Sequence, residues 1–412
     1  MDIGQGIKST FIANQVIFAS PDKTALKYFL KRTGGTVIED DTVPPPPAEL
    51  GIQVNPDDLK PTAYVVQVDP NKFSLDDFAA NANKAGVGGA FKISSEAAAK
   101  LMALSAAERA TGHAVVLNYM SFLQQEVLNA TRECARTATN GCINDDAFNI
   151  AQFQRTGSRS NVLAAWQIIA ASHIQRRVWV AILDGGFYVD PITGGAINLP
   201  GLGTDFPIQP LQYDFVVGDY SVGAPSPTLC SGGGACPWHG TGSASVATGL
   251  VNNSAGAAGT GGLIADPMLF HLALKRSQQV KAIRTAILWG ADVISMSYSG
   301  SCKEACQDEE EDSGYPKAIS DALGAGIVLV ASAGNAGMNV DAANIHPCTI
   351  DGVICVGALQ DGGNTAFDTR AVDSTGRPQG WASNVGAGVD IWAPTNIPAI
   401  GQIGPMDANF AR

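Results

Sequence analysis

Three polar side chains stand where apolar runs of the chain give out. Asp184 closes VWVAILD ahead of two glycines, His239 opens the small-residue run HGTGSASVATGL, and Asn335 follows IVLVASAG. A carboxylate, an imidazole and an amide are the parts that activate a hydroxyl toward a carbonyl carbon. The carboxylate holds the imidazole in one tautomer and stabilises its cation, the imidazole takes the hydroxyl proton, and the amide donates to the developing oxyanion. Each residue also has a plain structural reading: a turn aspartate, a satisfied histidine at a helix start, an asparagine in a left-handed turn.

Their positions gain meaning from the elements around them. The apolar runs VWVAILD (178–184), LFHLALK (269–275), VISMSYS (293–299), IVLVASAGN (327–335) and VICVGAL (353–359) alternate with the helical segments VKAIRTAILWG and PKAISDALGAG. Near-continuous apolar strands separated by helices predict an α/β fold with a central parallel sheet flanked by helices. In such sheets the chemistry gathers at the carboxyl ends of strands. Asp184 and Asn335 both fall there.

The N-terminal part reads differently. FIANQVIF (11–18) is a strand, and PDKTALKYFLKRTG puts Leu26, Phe29 and Leu30 on one helical face before Gly34 and Gly35 stop it. Strands at 36–39 and 63–70 flank the run VPPPP, which is confined to loop or polyproline geometry. A second helix over FSLDDFAANANKAG and a strand near Phe91–Ile93 complete a small α+β unit with both helices on one face. EAAAKLMALSAAERA, VLNYMSFLQQEVL and SNVLAAWQIIAAS then read as helical. The polar stretches RTATNGCINDD and FQRTGSRS between them suit an exposed linker open to proteases. The expected division is 1–93, a small α+β domain; 94–159, a helical extension and linker; and 160–412, the α/β domain.

Composition narrows the partners. Apolar residues at 45% and charged ones at 16% suit a folded protein. A net charge of −12 has the wrong sign for gripping phosphate backbones or anionic lipid, so no nucleic-acid or membrane partner is expected. No apolar run nears the ~20 residues that span a bilayer, and MDIGQGIKSTFIANQ lacks the layout of a secretory signal. The eight cysteines fall in close pairs: Cys134/Cys142, Cys230/Cys236, Cys302/Cys306 and Cys348/Cys355. Short disulfide loops, or else free buried thiols, account for them. No C-x-x-C spacing points to zinc. Disulfides imply an oxidising compartment, periplasmic or extracellular.

In their order, the segments around Asp184, His239 and Asn335 resemble the subtilisin-like (subtilase) serine peptidases, which the later runs IHPCTIDGVICVGAL and WASNVGAGVDIWAP resemble too. The resemblance runs from about Ser160 to the end of the chain. It implies Asp184 as the triad aspartate, His239 as general base and Asn335 as oxyanion-hole donor. It further implies that Ser297, Tyr298, Ser299 and Gly300 pair with extended substrate, with Ala331, Ser332, Ala333 and Gly334 opposite them. The N-terminal unit looks like a subtilase propeptide, an intramolecular inhibitor and folding aid. The implied protein is a secreted or periplasmic endopeptidase precursor acting on polypeptides without a required cofactor. Calcium as a structural ion is compatible with it, and the acidic run Asp308–Asp312 is either a calcium loop or a solvated one. Asn129-Ala-Thr and Asn252-Asn-Ser match the glycosylation pattern.

Two departures stand out. After His239-Gly240-Thr241 the chain continues Gly242-Ser243-Ala244-Ser245, looser than the family's Val-Ala-Gly. No Gly-Thr-Ser-x-Ala-x-Pro run follows Asn335. The expectation is a chain truncated just before the nucleophile, inactive by itself; the alternative is an inactive subtilase-like peptide-binding or regulatory protein.

Overall fold

A computed structural model describes residues 10–73, 95–123, 162–172, 174, 176–188, 211–224, 226, 229, 236, 239–251, 258–301, 314–359, 366, 368 and 382–394. The N-terminal unit is built on β1 (Phe11–Phe18), α1 (Lys23–Thr33), β2 (Thr36–Asp40), β3 (Tyr64–Gln67), α2 (Glu96–Ala110) and β4 (Val115–Tyr119). Its strands form an antiparallel sheet in the order β2-β3-β1-β4. Asp22 starts α1 by accepting the N–H groups of Thr24 and Ala25, and Gly34, at φ 64°, ends it. Leu26 and Phe29 are buried on its sheet-facing side.

This unit corrects two expectations. Val115–Tyr119 is a strand where a helix was predicted: all five of its residues are buried, and Val115, Val116 and Leu117 pair with Phe18, Ile17 and Val16. Sheet pairing of β-branched residues outweighs an apolar spacing that also suits a helix. The unit consequently continues through Tyr119 instead of ending near residue 93, with Leu101 and Leu104 of α2 in the same core as Val16 and Phe29. The helix predicted from Phe73, the strand at 91–93 and the linker stretches lie outside the described residues, apart from Phe73 itself.

The larger part runs α3 (Val162–Ala171), β6 (Val178–Asp184), β7 (Leu211–Asp214), α4 (His239–Thr248), β8 (Ala265–His271), α5 (Arg276–Leu288), β9 (Val293–Met296), β10 (Tyr298–Ser301), α6 (Tyr315–Gly324), β11 (Val328–Ser332), β12 (Ile345–His346), β13 (Val353–Leu359) and β14 (Ile391–Pro394), after a short β5 (Phe122–Leu123). Seven strands form a parallel sheet in the order β14-β13-β11-β9-β6-β8-β7. β8 begins earlier than its apolar run suggested, because it includes Pro267. The neighbouring β7 first pairs at Met268, so β8 is an edge where the proline sits.

Side-chain alternation splits the core into two layers. Ala181, Leu183, Ile294, Met296, Leu329 and Ala331 meet α5 and α6 on one face. Val180, Ile182 and Leu269 meet Ala244 of α4 on the other. The two parts touch along α5, where Arg284 pairs with Asp41 and also donates to the carbonyl oxygens of Asp58 and Lys60.

Candidate active site

The alternation along β6 decides where Asp184 points. Val180 and Ile182 face α4, so Asp184, two residues on, faces it as well. The first residue of α4 is His239. Its Nδ1 lies 3.0 and 2.9 Å from the two carboxylate oxygens of Asp184, whose side chain is wholly buried, while the imidazole is 10% exposed. A carboxylate on Nδ1 selects the tautomer protonated there and leaves proton exchange to Nε2.

Glycine permits this meeting. A Cβ at Gly240 would lie 2.4 Å from the Gly186 carbonyl oxygen and 2.9 Å from the Phe187 ring. The helix start is stapled to the turn after Asp184 by the Gly240 N–H on the Gly186 carbonyl and by the Tyr188 N–H on the Thr241 hydroxyl, 2.8 Å.

Leu183, Met296 and Ala331 are in register across β6, β9 and β11. The next residues, Asp184, Ser297 and Ser332, therefore stand at one level at the carboxyl ends of adjacent strands. Beside them opens a cavity of about 280 Å³ lined by Ser297, Ala331, Ser332, Gly334 and Asn335, with Gly357 and Ala358 of β13 and Pro394 of β14. Residues expected to contact substrate thus divide. Tyr298 is fully buried in the core, and that burial holds its phenol well above the ordinary value. Ala333 is also buried. Tyr298 and Ser299 belong to β10, whose main chain pairs antiparallel with Leu123 and Phe122 of β5. Gly300 lies against the Met120 carbonyl.

Sequence reasoning missed the residue that holds the Asn335 loop. Asn384 is 2% exposed. Its Oδ1 accepts the N–H groups of Ala336 (3.1 Å) and Met338 (2.8 Å), and its Nδ2 donates to the Ala333 carbonyl (2.7 Å). Its backbone N–H donates to the Gly334 carbonyl at 2.8 Å. One amide side chain thus clamps the main chain on both sides of Asn335. Gly334, at φ 96°, is required here: a Cβ would sit 2.7 Å from Asn384 Nδ2 and 3.0 Å from Ser299 Oγ. The partners lie 46 to 51 residues away in sequence, so no local signal marks Asn384.

A second carboxylate–imidazole pair was also unforeseen. His271 ends β8 in register with both Asp184 and Asp214. Its Nδ1 is 2.7 Å from Asp214 Oδ2, with both side chains buried. Burial alone would raise the Asp214 pKa, but the His271 hydrogen bond and charge and the N–H groups of Val217 and Val216 bring it below the ordinary value. Asp214 also accepts the Gly223 N–H, and the Gly223 carbonyl accepts the Phe187 N–H, which ties this loop to the turn after Asp184.

Cys348 and Cys355 form a disulfide, and Cys236 is disulfide-bonded too. Cys134, Cys142, Cys230, Cys302, Cys306, Asp308–Asp312 and both sequon asparagines lie outside the described residues. Among the described residues no three His, Cys, Asp or Glu side chains converge as a cation site, and no helix is long and apolar enough to cross a membrane.

The model of the subtilase family matches residues 175–404. Fervidolysin from Fervidobacterium pennivorans, a keratinolytic enzyme related to subtilisin, aligns at 16% identity and a TM-score of 0.50 over 95% of this chain and 48% of its own. The epidermin leader peptide processing serine protease of Staphylococcus aureus aligns at 14% identity and 0.47, over 92% of this chain and 74% of its own. A lanthipeptide protease aligns at 17% and 0.39, over 59% and 61%. This chain therefore spans about half of fervidolysin and three fifths of the lanthipeptide protease.

Proposed function

The chain belongs to the subtilase family, and from that premise we propose that it is a serine endopeptidase precursor in which Asp184 orients His239 as general base and Asn335 donates to the oxyanion. The Asp184–His239 contact carries this reading: a fully buried carboxylate with both oxygens within 3.0 Å of one imidazole nitrogen.

The chemistry follows from that contact. A seryl hydroxyl adds to the peptide carbonyl carbon as its proton passes to His239 Nε2, and Asp184 balances the imidazolium. The oxyanion takes a hydrogen bond from the side-chain amide of Asn335, whose flanking main chain Asn384 clamps. Collapse breaks the C–N bond: the amine takes the proton from His239 and departs, and the acyl group stays on serine. Water, deprotonated by the same imidazole, then adds to the acyl carbon, and the acid is released as that proton passes from His239 to the departing seryl oxygen. No cofactor enters these steps. Residues 336–412 contain no Gly-Thr-Ser-x-Ala-x-Pro run, so in this reading the nucleophile is not among the 412 residues.

Polypeptide is the substrate class, and the edge of β10 is where an extended chain would add as a strand. Phe122–Leu123 lies on that edge, which supports an inhibitory role for the N-terminal unit. The Cys348–Cys355 disulfide supports a secreted or periplasmic site of action.

The test expresses residues 1–412 beside the chain as its gene encodes it, with whatever follows codon 412. Both are assayed for fluorophosphonate labelling and for cleavage of a quenched casein peptide. Labelling and cleavage of the gene-encoded chain only, with a loss of roughly 10⁴-fold for Asp184→Asn, is the expected result. Cleavage undiminished in His239→Ala would overturn the reading. If neither polypeptide labels or cleaves, it gives way to an inactive peptide-binding protein.

A further inference from the structure

Pro44–Pro47 are four consecutive prolines. Without N–H groups the run cannot donate to a helix or sheet ladder, and a polyproline II run leaves its carbonyls unpaired within the run. Pro47 has φ −54° and ψ 142°, close to that conformation. Two of the carbonyls are nevertheless taken up by aromatic donors. Trp289 Nε1 donates to the Pro44 carbonyl at 3.3 Å, and the Tyr220 hydroxyl donates to the Pro45 carbonyl at 2.9 Å.

The two donors form one ledge. The Tyr220 and Trp289 rings lie within 7° of parallel with centroids 6.1 Å apart, and Tyr213 stands edge-on to both, at 5.2 and 6.3 Å. Trp289 is fully buried with the prolines in place, whereas Tyr220 stays 46% exposed. Flat apolar rings beside an indole N–H and a phenol O–H are what a polyproline II segment is recognised by: rings meet rings, and the donors reach carbonyls that have no other partner. No residue of the ledge belongs to the Asp184–His239 pair or lines the cavity beside Asn335.

We infer that Tyr220 and Trp289 form a polyproline II docking site, occupied in this chain by its own Pro44–Pro47 and able to take a proline-rich peptide when that strap is displaced. The N-terminal unit is then tied to the α/β domain partly by a short linear motif that a similar peptide can compete with. The tie works independently of catalysis, so its test uses no activity.

The experiment uses the full chain with Pro44→Ser, Pro45→Ser, Pro46→Ser and Pro47→Ser together, and the fluorescein-labelled peptide Thr42–Leu50, read by anisotropy. The peptide omits Asp41, which keeps the Arg284 ion pair out of the readout. Saturable binding is expected to the tetraserine chain. Binding to the unsubstituted chain should be at least about tenfold weaker, because the strap competes at high effective concentration. Adding Tyr220→Phe to the tetraserine chain should weaken binding about fivefold, the factor for one neutral hydrogen bond. A peptide with serines in place of prolines should not bind. No saturable binding to a tetraserine chain of native circular dichroism, or equal binding of the serine peptide, overturns the inference. If the tetraserine chain does not fold, Pro45→Ala alone decides. It should bind more peptide than the unsubstituted chain, and binding no greater than that refutes the site.

Discussion

Replacing Asn384 with alanine isolates the clamp on the Asn335 loop. Three side-chain hydrogen bonds disappear, to Ala336, Met338 and Ala333. At about 1 kcal/mol net for each, the loss is about 3 kcal/mol. For a domain of this size that lowers the melting temperature by roughly 6–12 °C. The local readout is sharper than the global one. The Ala336 and Met338 amides are held by a single oxygen of Asn384, so their hydrogen exchange should speed up in Asn384→Ala while that of β6 amides follows only the global stability. Asn384→Asp keeps both acceptor bonds but sets an oxygen against the Ala333 carbonyl. It should leave the two amides protected and still lower the melting point. A shift below about 2 °C with unchanged exchange at Ala336 and Met338 would refute the clamp.

Gly334→Ala should cost about 1–3 kcal/mol, since an L side chain at φ 96° is strained and meets Asn384 Nδ2. In a double-mutant cycle, measured by thermal melting, the cost should shrink once Asn384 is alanine; full additivity would contradict the contact. Asp214 has a depressed pKa in the fold, so its contribution to stability is present above its unfolded value of about 3.9 and is lost as pH falls through the lower folded value. Melting curves of Asp214→Asn should therefore show a flatter acid limb below about pH 4 than the unsubstituted chain, and parallel limbs would argue against the His271 bond as its cause. Arg284→Ala removes the cation beside the Asp41 carboxylate, which is 4% exposed and keeps only its neutral hydrogen bonds from Thr62 and Ala63. A loss of about 3 kcal/mol and faster proteolysis of the N-terminal unit are expected; unchanged proteolysis would mean that α5 does not hold it.

The residues of the candidate site stood out before any coordinates. The apolar run Val178–Leu183 is a strand buried on both faces, and a charged residue ending it in an α/β pattern falls at the carboxyl edge. His239 and Asn335 were marked in the same way, by an abrupt change from apolar to small or polar residues. Period-two alternation even assigns Asp184 to the face of Val180 and Ile182. These are local properties: side-chain polarity, strand period and the glycines that admit a close approach are written into a few neighbouring residues.

What the local pattern could not decide depended on a partner distant in the chain. Val115–Tyr119 has an apolar spacing that suits helix or strand, and only pairing with β1 settles it as a strand. Asn384 and the Asp214–His271 pair look like ordinary polar residues until the fold buries them and supplies their hydrogen bonds. The proline run announced polyproline geometry but not the indole and phenol that receive it. A buried polar group is stable only where its donors and acceptors are met. Those groups come from segments tens to hundreds of residues away, and the tertiary structure alone brings them together.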